Sequence, residues 1–150
     1  MDHLFADMLY HWNAGKHLFN PSVMDAINPK FYQLYMAILR EVSGDNRYVI
    51  ALVTGGLCAS LPWLWYKACR EFMDKWQALV TAVLIAGCPT LWTVYGYFMN
   101  ETLLLNMMAL ATWMSLRAGR KRTGWAVAVA VICWVLAVHT RRATGTGQRT

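Results

Sequence analysis

Tyr48-Val49-Ile50-Ala51-Leu52-Val53-Thr54-Gly55-Gly56-Leu57-Cys58-Ala59-Ser60-Leu61-Pro62-Trp63-Leu64-Trp65-Tyr66 runs without a single charged side chain. A helix that crosses a bilayer needs about 20 predominantly apolar residues, and this stretch is long enough alone. Working outward, Gln77 to Met99 is a second apolar run of sufficient length. Thr102 to Leu116 and Trp125 to Thr140 are shorter, and each becomes adequate with its flanks or with local thinning of the bilayer. The expected fold is therefore all-α and integral to a membrane, with about four transmembrane helices. Gly55, Gly56, Pro62, Gly87 and Pro89 are not expected to interrupt these helices, because Gly and Pro are commoner in spanning helices than in soluble ones.

Composition agrees. Of 150 residues 57% are hydrophobic, eight are Trp and nine are Met, and the mean hydropathy is +0.30. The formal charge of +6 does not point to nucleic acid. The basic residues cluster at the ends of apolar runs instead of forming a stripe interleaved with exposed aromatics. Cys58, Cys69, Cys88 and Cys133 show no Cys-x-x-Cys pairing, and three of them lie inside apolar runs, so neither a disulfide framework nor a zinc site is expected. Asp2, His3 and Asp7 precede any long apolar core, and no cleavable targeting segment is expected.

Charge sets the orientation. Lys67, Arg70 and Lys75 follow the first span, and Arg117, Arg120, Lys121 and Arg122 follow the third, whereas the Asn100-Glu101 turn carries no cation. Basic connections stay cytoplasmic, so Glu101 and the segment ahead of Tyr48 are expected outside. Arg141, Arg142 and Arg149 run against this alternation, since they would follow the last span on the outer side.

Three regions follow: an outer segment, residues 1–47, with two interfacial helices; a four-span bundle, 48–140; and a disordered polar tail, 141–150. In the outer segment Asp7, Tyr10, His11 and Ala14 recur on one helical face, and Leu4, Phe5, Met8, Leu9 and Trp12 supply an apolar remainder. Asn28 reads as an N-cap with Pro29 at the first helical position, Phe31 to Val42 keep helical spacing, and Gly44 closes the helix. Its Lys30, Gln33, Arg40 and Glu41 suit a helix lying on the membrane rather than crossing it. The plain reading of Asp7 is a solvated acid beside His11. That of Glu101 is an acid favoured by the dipole of its helix, and that of Arg47 an interfacial anchor. Asn106, in mid-span, is expected to hydrogen-bond a neighbouring helix. His139 is expected to pack at a helix end.

The order of several short motifs resembles the start of a GT-C type polytopic membrane glycosyltransferase, the protein O-mannosyltransferase and aminoarabinose transferase class. These are Asp7-x-x-Tyr10-His11, Asn28-Pro29-Lys30-Phe31-Tyr32-Gln33-Leu34, Arg47 opening a span, Asn100-Glu101-Thr102-Leu103-Leu104 opening another, and Thr140-Arg141 ending a third. The resemblance implies a polyprenyl-phosphate sugar donor and inverting transfer to an acceptor hydroxyl at the outer face. It places the catalytic acid at Asp7, supported by Tyr10 and His11. The donor phosphate falls to Arg47, Glu101 and Lys30, since Arg takes phosphate oxygens bidentately. Glu101 would act through a divalent metal or a hydrogen-bond network, and His11 through a hydrogen bond to Asp7 or a metal. Relatives begin with a span ahead of the catalytic Asp and continue past Thr140-Arg141, so a piece truncated at both ends is expected. The sugar and the acceptor stay open, as does the membrane, bacterial inner membrane or endoplasmic reticulum. The alternative is a small non-catalytic polytopic protein, a subunit or assembly partner associating through its helices with other membrane chains.

Overall fold

The computed structural model describes residues 30–44, 46–96 and 100–141, and every regular element among them is helical. The order is α1 (Lys30–Ser43), α2 (Arg47–Cys69), α3 (Lys75–Ala86), α4 (Pro89–Gly96), α5 (Asn100–Lys121) and α6 (Gly124–Arg141). The expected helix near the N-terminus, the Asn28 cap with Pro29, and residues 142–150 lie outside the described residues, while Arg141, expected to begin the tail, is the last residue of α6.

α1 ends where the sequence predicts. Gly44 adopts φ +58°, and its N–H donates to the Arg40 carbonyl at 2.9 Å, a left-handed close that a side chain would strain. Two residues on, the Asn46 side chain accepts the Tyr48 N–H at 3.0 Å and opens α2. α2 continues through Gly55, Gly56 and Pro62 without a break. Its stretch Tyr48–Cys69 is the one helix among the described residues long and apolar enough to cross a membrane. Only 22% of that apolar stretch is buried within the protein, and Leu52 is 74% exposed. This helix is thus not the covered core helix of a compact domain, and its length and apolarity are those of a membrane-crossing segment.

The second expected span differs. Gln77 to Met99 is not one helix, for α3 stops at Ala86 and α4 begins at Pro89. Local backbone chemistry makes the break. Pro89 has no N–H to offer the carbonyl four residues back, and it disfavours helical geometry at Cys88. The freed groups find other partners: the Cys88 N–H donates to Ile85 O at 3.1 Å, and the Trp92 indole N–H donates to Ala86 O at 2.8 Å. Gly and Pro, harmless inside α2, therefore do interrupt the next segment. α3 and Gly124–His139 of α6 are apolar but shorter than a full span. α5, in contrast, extends beyond the expected Thr102–Leu116, through its basic end to Lys121.

α2 and α5 run side by side in the same direction. Ile50 clusters with Leu103, Leu61 and Leu64 pack on Ala109, and Trp63 meets Trp113. Between them the Ser60 hydroxyl lies 2.9 Å from Asn106 Oδ1 and 2.8 Å from Leu57 O, two acceptors that share its one proton, while Asn106 Nδ2 donates to Thr102 O in its own helix. The bond expected of Asn106 is present, and it ties together two helices that otherwise meet through apolar groups. α6 returns antiparallel along α5, where Ala126 and Ala130 pack against Met114. Alanines at 0% exposure, 78, 109, 111 and 126 among them, let these backbones approach closely. α1 lies across one end, with Met36 and Leu39 packed on Ile50 and Leu103.

Candidate functional site

α1 draws the first turns of α2 and α5 to one end of the bundle, because the cluster of Met36, Leu39, Ile50 and Leu103 includes a residue from each. Arg47 stands three residues before Ile50 in the first turn of α2, and Glu101 two residues before Leu103 in the first turn of α5. Both therefore share this end. Lys30 opens α1. Glu101 is exposed. Two helix N-termini side by side add partial positive charge, which favours an anion there as well as the Glu101 carboxylate itself. Asp7, Tyr10 and His11 lie outside the described residues. Burial pushes the phenol of Tyr35, packed beside the Met36 cluster, upward from its usual 10.0.

The opposite end carries the basic connections. Arg120 donates to the Glu71 carbonyl at 2.9 Å, and its guanidinium lies 3.7 Å from the Glu71 carboxylate, so the α2–α3 and α5–α6 connections meet. Lys67, Arg70, Arg117, Lys121 and Arg122 belong to this end by the same topology. The packing thus sets the two basic connections, which also carry Glu71 and Asp74, at one end of the helices and the Glu101 turn at the other.

Sequence reasoning missed a groove. A cavity of about 680 Å³ lies between α2 and the α3–α4 break, walled by Ala51, Thr54, Gly55, Cys58, Ala59, Leu61 and Pro62 on one side and by Ile85, Ala86, Leu91 and Trp92 on the other. Its walls are almost wholly apolar, and the Thr54 hydroxyl is turned back onto Ile50 O at 3.0 Å. The spacing of Arg47, Ala51, Thr54, Cys58 and Pro62, by steps of three and four, sets them on one face of α2. Arg47 thus heads the face that lines the groove. A Cβ built on Gly55 meets nothing within 4 Å, so this glycine keeps the groove open rather than admitting a neighbouring helix. Small residues at 51, 55 and 59, followed by Gly87-Cys88-Pro89, are the features that could have revealed it.

Among the described residues no group of three or more His, Cys, Asp or Glu is placed to hold a metal ion. His139 does not pack as expected. It is exposed, with Nδ1 2.9 Å from Val135 O in its own helix.

Compared with known proteins, the chain matches over residues 28–145 a family model described as dolichyl-phosphate-mannose-protein mannosyltransferase. The matched stretch holds Lys30, Arg47, Glu101 and the whole groove, and it starts after Asp7, Tyr10 and His11. No curated protein and no solved structure matches.

Proposed function

The chain belongs to the dolichyl-phosphate-mannose-protein mannosyltransferase family, glycosyltransferases of the mannosyltransferase kind, and on that premise we propose that it takes part in transfer from a polyprenyl-phosphate sugar at the outer membrane face. The observation that carries this reading is the groove headed by Arg47. An apolar, small-residue channel along a membrane-spanning helix suits a hydrocarbon chain, and its volume lies in the range of ligand sites. A cation at its outer end suits the phosphate to which that chain is joined. In this reading the polyprenyl tail lies against Ala51, Gly55 and Trp92, and Arg47 holds the phosphate, with Lys30 adding positive charge. Glu101 borders the same rim.

The reaction would be a single inverting displacement. The acceptor hydroxyl oxygen attacks the anomeric carbon, the bond from that carbon to the phosphate oxygen breaks, and polyprenyl phosphate leaves with the electron pair. Asp7 takes the hydroxyl proton, and Tyr10 and His11 orient it. Arg47 stabilises the charge that grows on the leaving phosphate. The four-span reading, with α3 and α4 together forming one interrupted crossing, and the outer placement of residues 1–47 are parts of this proposal.

The test is transfer from polyprenyl-phosphate mannose by the chain in reconstituted membranes. Asp7→Asn is expected to lower the rate by roughly 10²- to 10⁴-fold, the usual worth of a positioned base. Transfer equal to wild type would remove Asp7 from the chemistry. Absence of transfer by the wild type, together with no retention of donor, would favour the non-catalytic subunit.

A further inference from the structure

At the end opposite Arg47 a ladder of cations and indoles crosses three helices. Lys67 Nζ lies 5.4 Å from the centre of the Trp63 ring, one turn earlier on α2. Trp63 meets Trp113 of α5 edge-on, with ring centres 5.7 Å apart and an interplanar angle of 79°. The Arg117 guanidinium then lies between Trp113, at 6.0 Å, and Trp125 of α6, at 5.6 Å. Each cation–ring contact falls within the range where the ring quadrupole attracts a positive charge.

The ladder leaves hydrogen-bonding capacity unused. Lys67 and Arg117 meet no carboxylate among the described residues, unlike Arg120, which reaches Glu71. Nε of Arg117 is buried without a hydrogen-bond partner, and so is the Thr123 hydroxyl, two residues before Trp125. A buried donor left without an acceptor is costly, and an oxygen admitted beside it would relieve that cost. Contact with the two rings satisfies none of the guanidinium's N–H groups, and its forked donors match two oxygens of a phosphate. Trp63 and Trp125 are 51% and 55% exposed, amphipathic rings of the kind that sit at headgroup level.

We propose that this ladder binds the phosphate of an anionic phospholipid headgroup, with Arg117 as its main ligand and Lys67 adding positive charge. The exposed indoles select a lipid over a soluble phosphate, since they pack on glycerol and the first acyl carbons. The site is independent of the donor groove.

The experiment incubates the purified chain with vesicles of phosphatidylcholine, or of phosphatidylcholine mixed with phosphatidylglycerol, and counts retained lipid by native mass spectrometry. Wild type is expected to retain phosphatidylglycerol preferentially. Arg117→Gln and Lys67→Gln, checked for unchanged helicity, are expected to reduce that preference, Arg117→Gln by about tenfold, in keeping with the loss of a charged hydrogen bond. The proposal is overturned if wild type shows no preference, if both variants retain phosphatidylglycerol as wild type does, or if millimolar inorganic phosphate displaces the lipid.

Discussion

Arg120, near the end of α5, donates to the main-chain carbonyl of Glu71, just beyond the end of α2, at 2.9 Å. This one contact joins the two basic connections at one end of the bundle. Because α2 and α5 run in the same direction, it also fixes Arg47 and Glu101 at the other end. The energy of such an exposed pair is small, within about 1 kcal/mol, and its value here is topological.

That topology predicts a labelling pattern. With Cys58, Cys69, Cys88 and Cys133 replaced, a cysteine at position 101 is expected to react with an impermeant maleimide added to the outer face. A cysteine at position 121 is expected to react only after the membrane is opened. Reaction of both from the same side would refute the sidedness.

The Ser60–Asn106 bond predicts a measurable coupling between α2 and α5. Ser60→Ala and Asn106→Ala should each destabilise the bundle, and a double-mutant cycle should return about 0.6 kcal/mol and no more than about 1.7 kcal/mol, as for other interhelical bonds in membranes. Unfolding in mixed micelles measures it. Additive effects would mean the two side chains act separately.

Trp92→Phe keeps an aromatic ring, though a smaller one, and removes the donor that satisfies Ala86 O at the α3–α4 break. A loss of about 1 kcal/mol is expected, with faster amide exchange at Cys88 and nearby residues. Unchanged exchange would show that the indole does not hold the break.

Tyr35 supplies a pH dependence. Its phenol is raised in the folded protein by burial, so the folded chain holds this proton more tightly than the unfolded chain does. Its contribution is fully present below pH 10 and is lost as pH rises through the folded value. Docking of α1 should therefore weaken at alkaline pH, and more steeply in wild type than in Tyr35→Phe. Parallel pH profiles, read by proteolysis of the α1–α2 connection, would contradict this.

Much of this arrangement is legible in the sequence because it rests on local chemistry. Gly44 closes α1 since a left-handed residue is needed there, and Tyr48 to Tyr66 reads as a span from length and apolarity alone. The common side of Arg47 and Glu101 follows from where Lys and Arg are missing. The break at Gly87-Cys88-Pro89 escapes a count of apolar residues, because hydropathy does not register a missing N–H. The groove and the ladder escape for another reason. Lys67 and Trp63 are a helical turn apart, as are Arg117 and Trp113, whereas the meetings of Trp63 with Trp113 and of Arg117 with Trp125, like that of Leu91 and Trp92 with Gly55, are made by helix packing that periodicity does not specify.

The most direct test of the donor groove is photolabelling with a polyprenyl-phosphate mannose that carries a diazirine in its isoprenoid chain. Adducts are expected on α2 between Ala51 and Pro62 and on Leu91 and Trp92. Gly55→Leu, which a Cβ at that position would not obstruct, should fill the groove and abolish them, and Arg47→Gln should reduce them about tenfold, as expected for one charged phosphate contact. Adducts elsewhere, or labelling that neither substitution changes, would contradict the account.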